Sequence, residues 1–439
     1  MIAPPNAKAR ARDGRPLPDR TLVIEGLVLL LAAPFLAMPQ AFPGLTIAAL
    51  LALAAVWAFS ILTAREPASP FDILLALWSG ALVIGILVTA DPGETLNKAA
   101  NLILGLGIWR FLVIAVRTRQ ALATAVGAFL LLCLGFSLIG LAAATELPKI
   151  PALTALNPFY DHPLSGLIGL RTHPNQLAGL ICLYWPLLVS LTFAPPPGRR
   201  SRRWRILFAA MTLLATLILI LTQSRGGWIA ASVGLFSLMA MWGLAMPRSG
   251  SRKVLRLALI GWALLALLAL AAIGPARLQE TWSNPPQETA VGTLLTLDYR
   301  KQLWPWAITA VQDFPYTGVG LGAFRQVVFR LYPLTLSPGQ DVGHAHNIFL
   351  QTALDVGLPG LIVYLALLFV AGGVGWRVAR REAGLRSISL GLLAGLIMVH
   401  VFGLADALAL GSRPGAMFWY SLGLLAVMNN LISRPNRQG

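Results

Sequence analysis

Two of the five histidines in the chain, His344 and His346, sit one residue apart just before a long apolar run that opens at Ile348. An imidazole titrates near pH 6.5, so it can take up a proton at neutral pH, as a general base must. His-x-His spacing can also bring two imidazoles onto one metal ion. That second reading lacks a third ligand at a diagnostic spacing, since Asp341, His173 and His162 are candidates by residue type alone. Neither thiol helps, because Cys133 and Cys182 lie inside apolar stretches. The plain alternative is a polar loop in which Asn347 caps the following helix.

Arginines form the second group. Arg225 lies in Gln223-Ser-Arg-Gly-Gly227, a turn between two apolar runs. A charge at a membrane boundary is costly unless it snorkels or pairs, so the position is a functional candidate or a headgroup anchor. Its guanidinium can grip phosphate through two bonds, and the flanking glycines let a ligand approach the backbone. Arg300 falls in an amphipathic stretch, Asp298 to Val311, four residues before Trp304 and on the same helical face. A surface cation stacked on Trp304 is the alternative there. Arg171 and His173 precede Pro174 and Asn175 at the start of a span, where a structural role is favoured. Glu25, Arg110, His400 and Asp406 lie within apolar stretches, and such groups often mark ion paths in transporters. On one helix, a six-residue spacing separates His400 from Asp406 by about 240°, so they would not share a face. No phosphate-binding glycine loop or dinucleotide fingerprint is present, so the energy for any reaction must arrive with an activated substrate.

The elements that must position these groups follow from composition. Hydrophobic residues make up 57% of 439 positions and charged residues 12%. A bilayer core of about 30 Å takes roughly 20 apolar residues per helix, which predicts an all-α polytopic membrane protein. Spans fall near 21–38, 43–62, 71–90, 97–116, 120–143, 173–193, 206–222, 227–246, 257–274, 348–375, 388–410 and 416–432. The expectation is therefore about twelve transmembrane helices with one large, partly helical loop. A basic tail over 1–20 leads to nine helices over 21–274, the loop over 275–347, three helices over 348–432 and a tail over 433–439. Pro34 interrupts the first span, and Pro43-Gly44 opens the second as in a tight helical hairpin. No cleavable signal peptide is expected, since the first 20 residues are polar and basic and the first apolar run is long enough to remain.

A net charge of +17 invites a nucleic-acid reading, but the basic residues cluster in short loops between spans, as topology signals do. With the N-terminus inside, the inner segments hold 23 Lys and Arg and the outer segments 10. Both termini are accordingly expected inside. Three outer segments then stand out: 144–172, the turn 223–227, and the long loop 275–347, whose length itself suggests function.

These pieces fall into a pattern. His346 is followed by Asn347, nine residues from Ile348 to Val356, then Gly357 and Gly360. Upstream come the arginine turn at 223–227, Arg300 with Trp304, and Asp313-Phe-Pro-Tyr-Thr-Gly-Val-Gly-Leu-Gly322 with Phe324. Arg171-Thr-His-Pro-Asn-Gln-Leu-Ala178 precedes them all. In this order, over about residues 170–370, the chain resembles the O-antigen ligase and O-antigen polymerase superfamily of bacterial envelope enzymes.

The resemblance implies a twelve-helix, metal-independent, inverting glycosyltransferase with no cofactor. It would work at the periplasmic face of the bacterial inner membrane, with both termini cytoplasmic. Its donor would be a glycan on undecaprenyl diphosphate and its acceptor a lipid A-core sugar; the bilayer is a partner and nucleic acid is not. By residue match, His346 is the base and Arg225 and Arg300 hold the donor diphosphate. His344, Asn347, Arg171, His173 and Trp304 bind substrate or support the site. A repeat-unit polymerase is the alternative within the family. A glycan-to-protein ligase is disfavoured by a chain that stops seven residues after its last span. A lipid-linked sugar transporter or flippase would show repeated halves, and no internal repeat is found.

Overall fold

The computed structural model describes residues 19–63, 68–144, 172–195, 202–246, 295–333, 343–408 and 410–433, with scattered positions between 253 and 279. Among the described residues the regular structure is helical, apart from an isolated bridge between Ala144 and Thr172. The chain is an all-α polytopic membrane protein. In order, the helices are α1 (Asp19–Ala37), α2 (Pro43–Thr63), α3 (Asp72–Leu87), α4 (Pro92–Ala115) and α5 (Arg119–Ala142). Next come α6 (Pro174–Phe193), α7 (Arg202–Leu221), α8 (Arg225–Ala245), α9 (Leu295–Asp313) and α10 (Phe324–Leu331). The last three are α11 (Ile348–Arg381), α12 (Arg386–Phe402) and α13 (Ala416–Ser433).

Among the described residues, nine helices are long and apolar enough to cross a membrane, and α3 and α12 are shorter apolar helices. The ninth expected span, 257–274, falls largely outside the described residues; its positions 259–264 are helical, and Trp262 packs on Phe236 at 4.9 Å. Burial orders the bundle. In α6 and the Arg413–Ser433 span 83% of residues are buried, against 22% in α1, α2 and α8, so the first two are central and the others face lipid. Pro34 sits inside α1 without ending it. Of the intramembrane charges, Arg110 donates to Glu25 at 2.9 Å and to Ser60 at 3.0 Å. His400 meets the Tyr364 hydroxyl at 2.6 Å. These polar groups tie helices together, as buried charge and hydroxyl groups must when water is excluded.

Two departures from the expected spans matter for the site. The eleventh span does not run to residue 410: α12 ends at Phe402, and residues 403–406 turn away. The sequence there stays apolar, so hydropathy cannot register the exit. Hydrogen bonding does. The Gly403 carbonyl accepts from Ile348 N at 2.8 Å, and the Asp406 carboxylate accepts from Ala407 N at 2.8 Å. Asp406 therefore lies past the helix, not six residues along it from His400.

The second departure is inside α11, which is broken at Val356 and Gly357. Gly357 has φ +72°, a conformation that strains any residue with a Cβ. A Cβ there would also strike the Tyr316 carbonyl. The break admits the glycine-rich turn 318–322: Leu358 N donates to Pro315 O at 2.7 Å, and Val319 N to Leu354 O at 2.8 Å. The turn continues to α3, where Leu321 N donates to Gly85 O at 2.9 Å. The amphipathic stretch expected over 298–311 is the core of α9. Its Leu303, Ala307 and Ala310 are fully buried against Val319, Phe324, Val328, Ala345 and Leu354. Spacings of four and three put those three residues on one face, which clamps α9 onto the first turns of α11.

Candidate active site

Residues 343–347 run into α11 and are fixed from several directions. Asn347 is the N-cap, its Oδ1 accepting from Phe349 N at 3.0 Å and Leu350 N at 3.1 Å. Its Nδ2 donates to Leu404 O at 3.0 Å, which links the start of α11 to the turn after α12. Ala345 is fully buried: its N donates to Gln351 Oε1 at 2.8 Å, and its carbonyl accepts from Trp304 Nε1 at 3.0 Å. Trp304 thus clamps the histidine loop from α9; it is not merely a stacking surface. Held at both neighbours, His346 adopts φ +48°, an unusual left-handed backbone for a residue other than glycine. Strain of this kind persists only where the surroundings over-determine the residue.

The two imidazoles lie with ring centroids 4.1 Å apart, and His346 N donates to His344 Nδ1 at 3.1 Å. Both face Asp406. His346 Nδ1 is 3.3 Å from Asp406 Oδ1, and His344 Nε2 is 3.9 Å from the same oxygen. On the other oxygen, Asn175 Nδ2 donates at 2.6 Å and Arg300 Nη2 approaches to 3.6 Å. One buried carboxylate thus gathers four side chains from three different parts of the chain. Burial works to raise the Asp406 carboxyl, but the adjoining His346 imidazole and the Arg300 guanidinium outweigh it and hold the group well below the usual carboxylate range. Burial, reinforced by the neighbouring His346, pushes His344 down to about 3, so it stays neutral at physiological pH.

The remaining sequence candidates divide. Arg225 is the first residue of α8 and is exposed; Ser224 caps the helix by accepting from Gly227 N at 3.3 Å. Gly226 abuts Phe402 and Gly227 abuts Ala178, while Asp406 N donates to Phe402 O at 3.1 Å. Arg225 is therefore at the same end of the bundle as Asp406. His173 caps α6, its Nδ1 accepting from Asn175 N at 3.2 Å, and so orients the residue that bonds Asp406. Arg171 lies outside the described residues. Sequence reasoning missed Asp406 and Asn175 as site residues. Asp406 was visible as an acid in an apolar stretch, and Asn175 as the residue after a helix-starting proline, but nothing local joins them to His346.

His344, His346 and Asp406 could also hold a metal ion, since one ligand atom from each lies within 4.8 Å of the others. Asp406 supplies the third side chain that the spacing of histidines alone did not. Against that use, the Arg300 guanidinium sits 3.6 Å from the same carboxylate, a cation where a second cation would bind.

With this geometry in view, the comparisons with known proteins become informative. Residues 210–365 match the family model described as O-antigen ligase. A stretch of 239 residues is 27% identical to the O-antigen ligase of Pseudomonas aeruginosa, covering 52% of each chain. These matches support the O-antigen ligase superfamily. The matched region of the O-antigen ligase model includes Arg225, Arg300, Trp304, His344, His346 and Asn347, while Asp406 and Asn175 lie beyond it. A further 132 residues are 33% identical to the aromatic amino acid exporter YddG of Ancylobacter novellus, covering 26% of this chain and 46% of that protein. The chain spans about half the length of the curated relatives it matches.

Proposed function

We propose that the protein is an inverting glycosyltransferase of the O-antigen ligase type. It moves a glycan from undecaprenyl diphosphate to a sugar of the lipid A-core at the periplasmic face of the inner membrane. The observation that carries this reading is the pairing of His346 Nδ1 with the buried Asp406 carboxylate at 3.3 Å. A proton held on Nδ1 by Asp406 leaves Nε2 as the basic nitrogen, directed at an incoming hydroxyl. Nε2 takes the proton of the acceptor hydroxyl as its oxygen bonds to the anomeric carbon. The bond from that carbon to the diphosphate oxygen breaks, and the electron pair leaves with the lipid diphosphate. Arg225 and Arg300 stabilise the charge that gathers there, which preorganised guanidiniums in a water-poor site are suited to do. Attack from the face opposite the leaving group inverts the anomeric centre.

Arg300 has a double part in this scheme, since it also contacts Asp406. Asn347, His173 and Trp304 hold the site together, and His344 lies beside the base as a neutral neighbour. The likeness to an exporter gives the transport reading one observation of its own, confined to about a quarter of the chain.

The test is reconstitution of the purified chain with a lipid-linked glycan and lipid A-core. His346→Ala is expected to keep its fold and lose transfer by on the order of 10²–10⁴-fold, the usual contribution of a general base. Activity should persist after exhaustive chelation. Full transfer by His346→Ala would remove the base, and loss on chelation would restore the metal reading. Product growing on the carrier in place of the core would make the protein a polymerase, and glycolipid translocation without transfer would make it a transporter.

A further inference from the structure

Beside the histidines lies a cavity of about 420 Å³ between α4, α5, α6 and the turn at 411–414, and His344 forms one end of it. Its wall is mixed. Asn97 and Asn101 from α4 and Gln176 from α6 present amides, while Phe136, Ile139 and Leu180 present apolar surface. Phe136 and Ile139 are 39% and 45% exposed on the lipid-facing side of α5, so the apolar side is reached from the bilayer. Charge on the wall is mixed too, with Glu94, Lys98 and Arg413; Lys98 leans to Asp355 at 3.9 Å.

The informative atom is Asn101 Oδ1. Asn101 is 1% exposed, and this oxygen has no hydrogen-bond partner among the described residues. Its orientation is fixed, because Nδ2 donates to Asn97 O at 2.9 Å and a flipped amide would set two oxygens against each other. A buried acceptor without a donor is costly, so the wall is built for a ligand that offers one. A sugar hydroxyl is such a donor, and the apolar side suits the lipid that carries the sugar.

Which substrate enters follows from α6. Its Ala178 and Gly179 pack against Gly227 and Phe402, on the side where Arg225 begins α8. Gln176, Leu177 and Leu180, on the opposite face, line the cavity. The helix thus separates Arg225 from the cavity, with the histidines at its outer end. Resting on the transfer reading above, in which Arg225 holds the donor, we infer that this cavity is the acceptor site: it admits a lipid-anchored sugar sideways from the membrane and reads one of its hydroxyls through Asn101 Oδ1.

The test separates binding from turnover. In the full-length His346→Ala chain in bilayer discs, lipid A-core binding is measured directly; in the parent chain, acceptor and donor KM are measured separately. Asn101→Leu should weaken acceptor binding and raise acceptor KM about ten-fold, the effect of one hydrogen bond, with donor KM unchanged. Ile139→Trp, at an exposed position on the mouth, should also raise acceptor KM without relying on a buried substitution. A rise in donor KM instead would overturn the inference, as would acceptor constants unmoved in both Asn101→Leu and Ile139→Trp. If the parent chain transfers to no acceptor, the enzymatic reading fails, yet the binding measurement still decides the cavity.

Discussion

Asp406 is the side chain on which the candidate site converges, and its importance is a matter of what it touches. It accepts from Asn175, approaches His346, His344 and Arg300, and stays ionised while buried. Replacing it with Asn keeps shape but removes charge, and the amide can turn an N–H toward Nδ1, driving the imidazole to the wrong tautomer. Asp406→Asn is expected to lower kcat on the order of 10²–10⁴-fold, with acceptor KM little changed, in a chain that still folds. A kcat within a factor of two of the parent would separate Asp406 from catalysis. His346, Arg300 and Arg225 could be named as candidates from the sequence because residue type and spacing point to them. Asp406 could not, because an apolar stretch reads as unbroken helix and its partners lie 60 or more residues away in sequence. The two histidines, equivalent by type, differ in motif register, and they differ in space too: His346 meets the carboxylate at the shorter distance, and His344 faces the cavity.

At the scale of elements, the break in α11 is what joins residues 315–322 to the bundle. The motif spacing exposes Gly357 and Gly360 as special, but the reason for Gly357 lies in residues 315–319, some 40 positions upstream. There, Pro315, Tyr316 and Val319 present backbone groups to the break. Gly357→Ala would force a side chain into the left-handed region and against the Tyr316 carbonyl, costing about 2 kcal/mol or more. The expected result is a melting temperature lowered by several degrees and a loss of transfer, because the histidine loop depends on the same docking. An unchanged melting curve would mean that the outer loop is not anchored through this break. Helix α9 was legible from its amphipathic spacing. Its task, to aim Trp304 at Ala345, was not.

At the scale of the whole molecule, the apolar runs among the described residues coincide with helices, because each run is near-continuous. Hydropathy could not tell central helices from peripheral ones, which differ in what surrounds them and not in composition. Placement of the site at the outer face rests on the distribution of basic residues, and α11 makes it testable. Its 34 residues extend about 50 Å at 1.5 Å per residue, so His346 and Ala383 mark opposite faces. Cys133 and Cys182 are buried, which leaves a silent background for labelling. In intact spheroplasts, a membrane-impermeant maleimide should label Gln302→Cys, and Ala383→Cys only after permeabilisation. The reverse pattern would invert the topology and put the site in the cytoplasm. That outer rim also contains both non-glycine residues with positive φ among the described residues, Gln223 and His346. Glycine or asparagine would relax such a backbone, whereas an imidazole merely endures it. Selection for heat resistance alone would therefore discard the histidine at 346, and durability and turnover compete at the very residue proposed to take the proton.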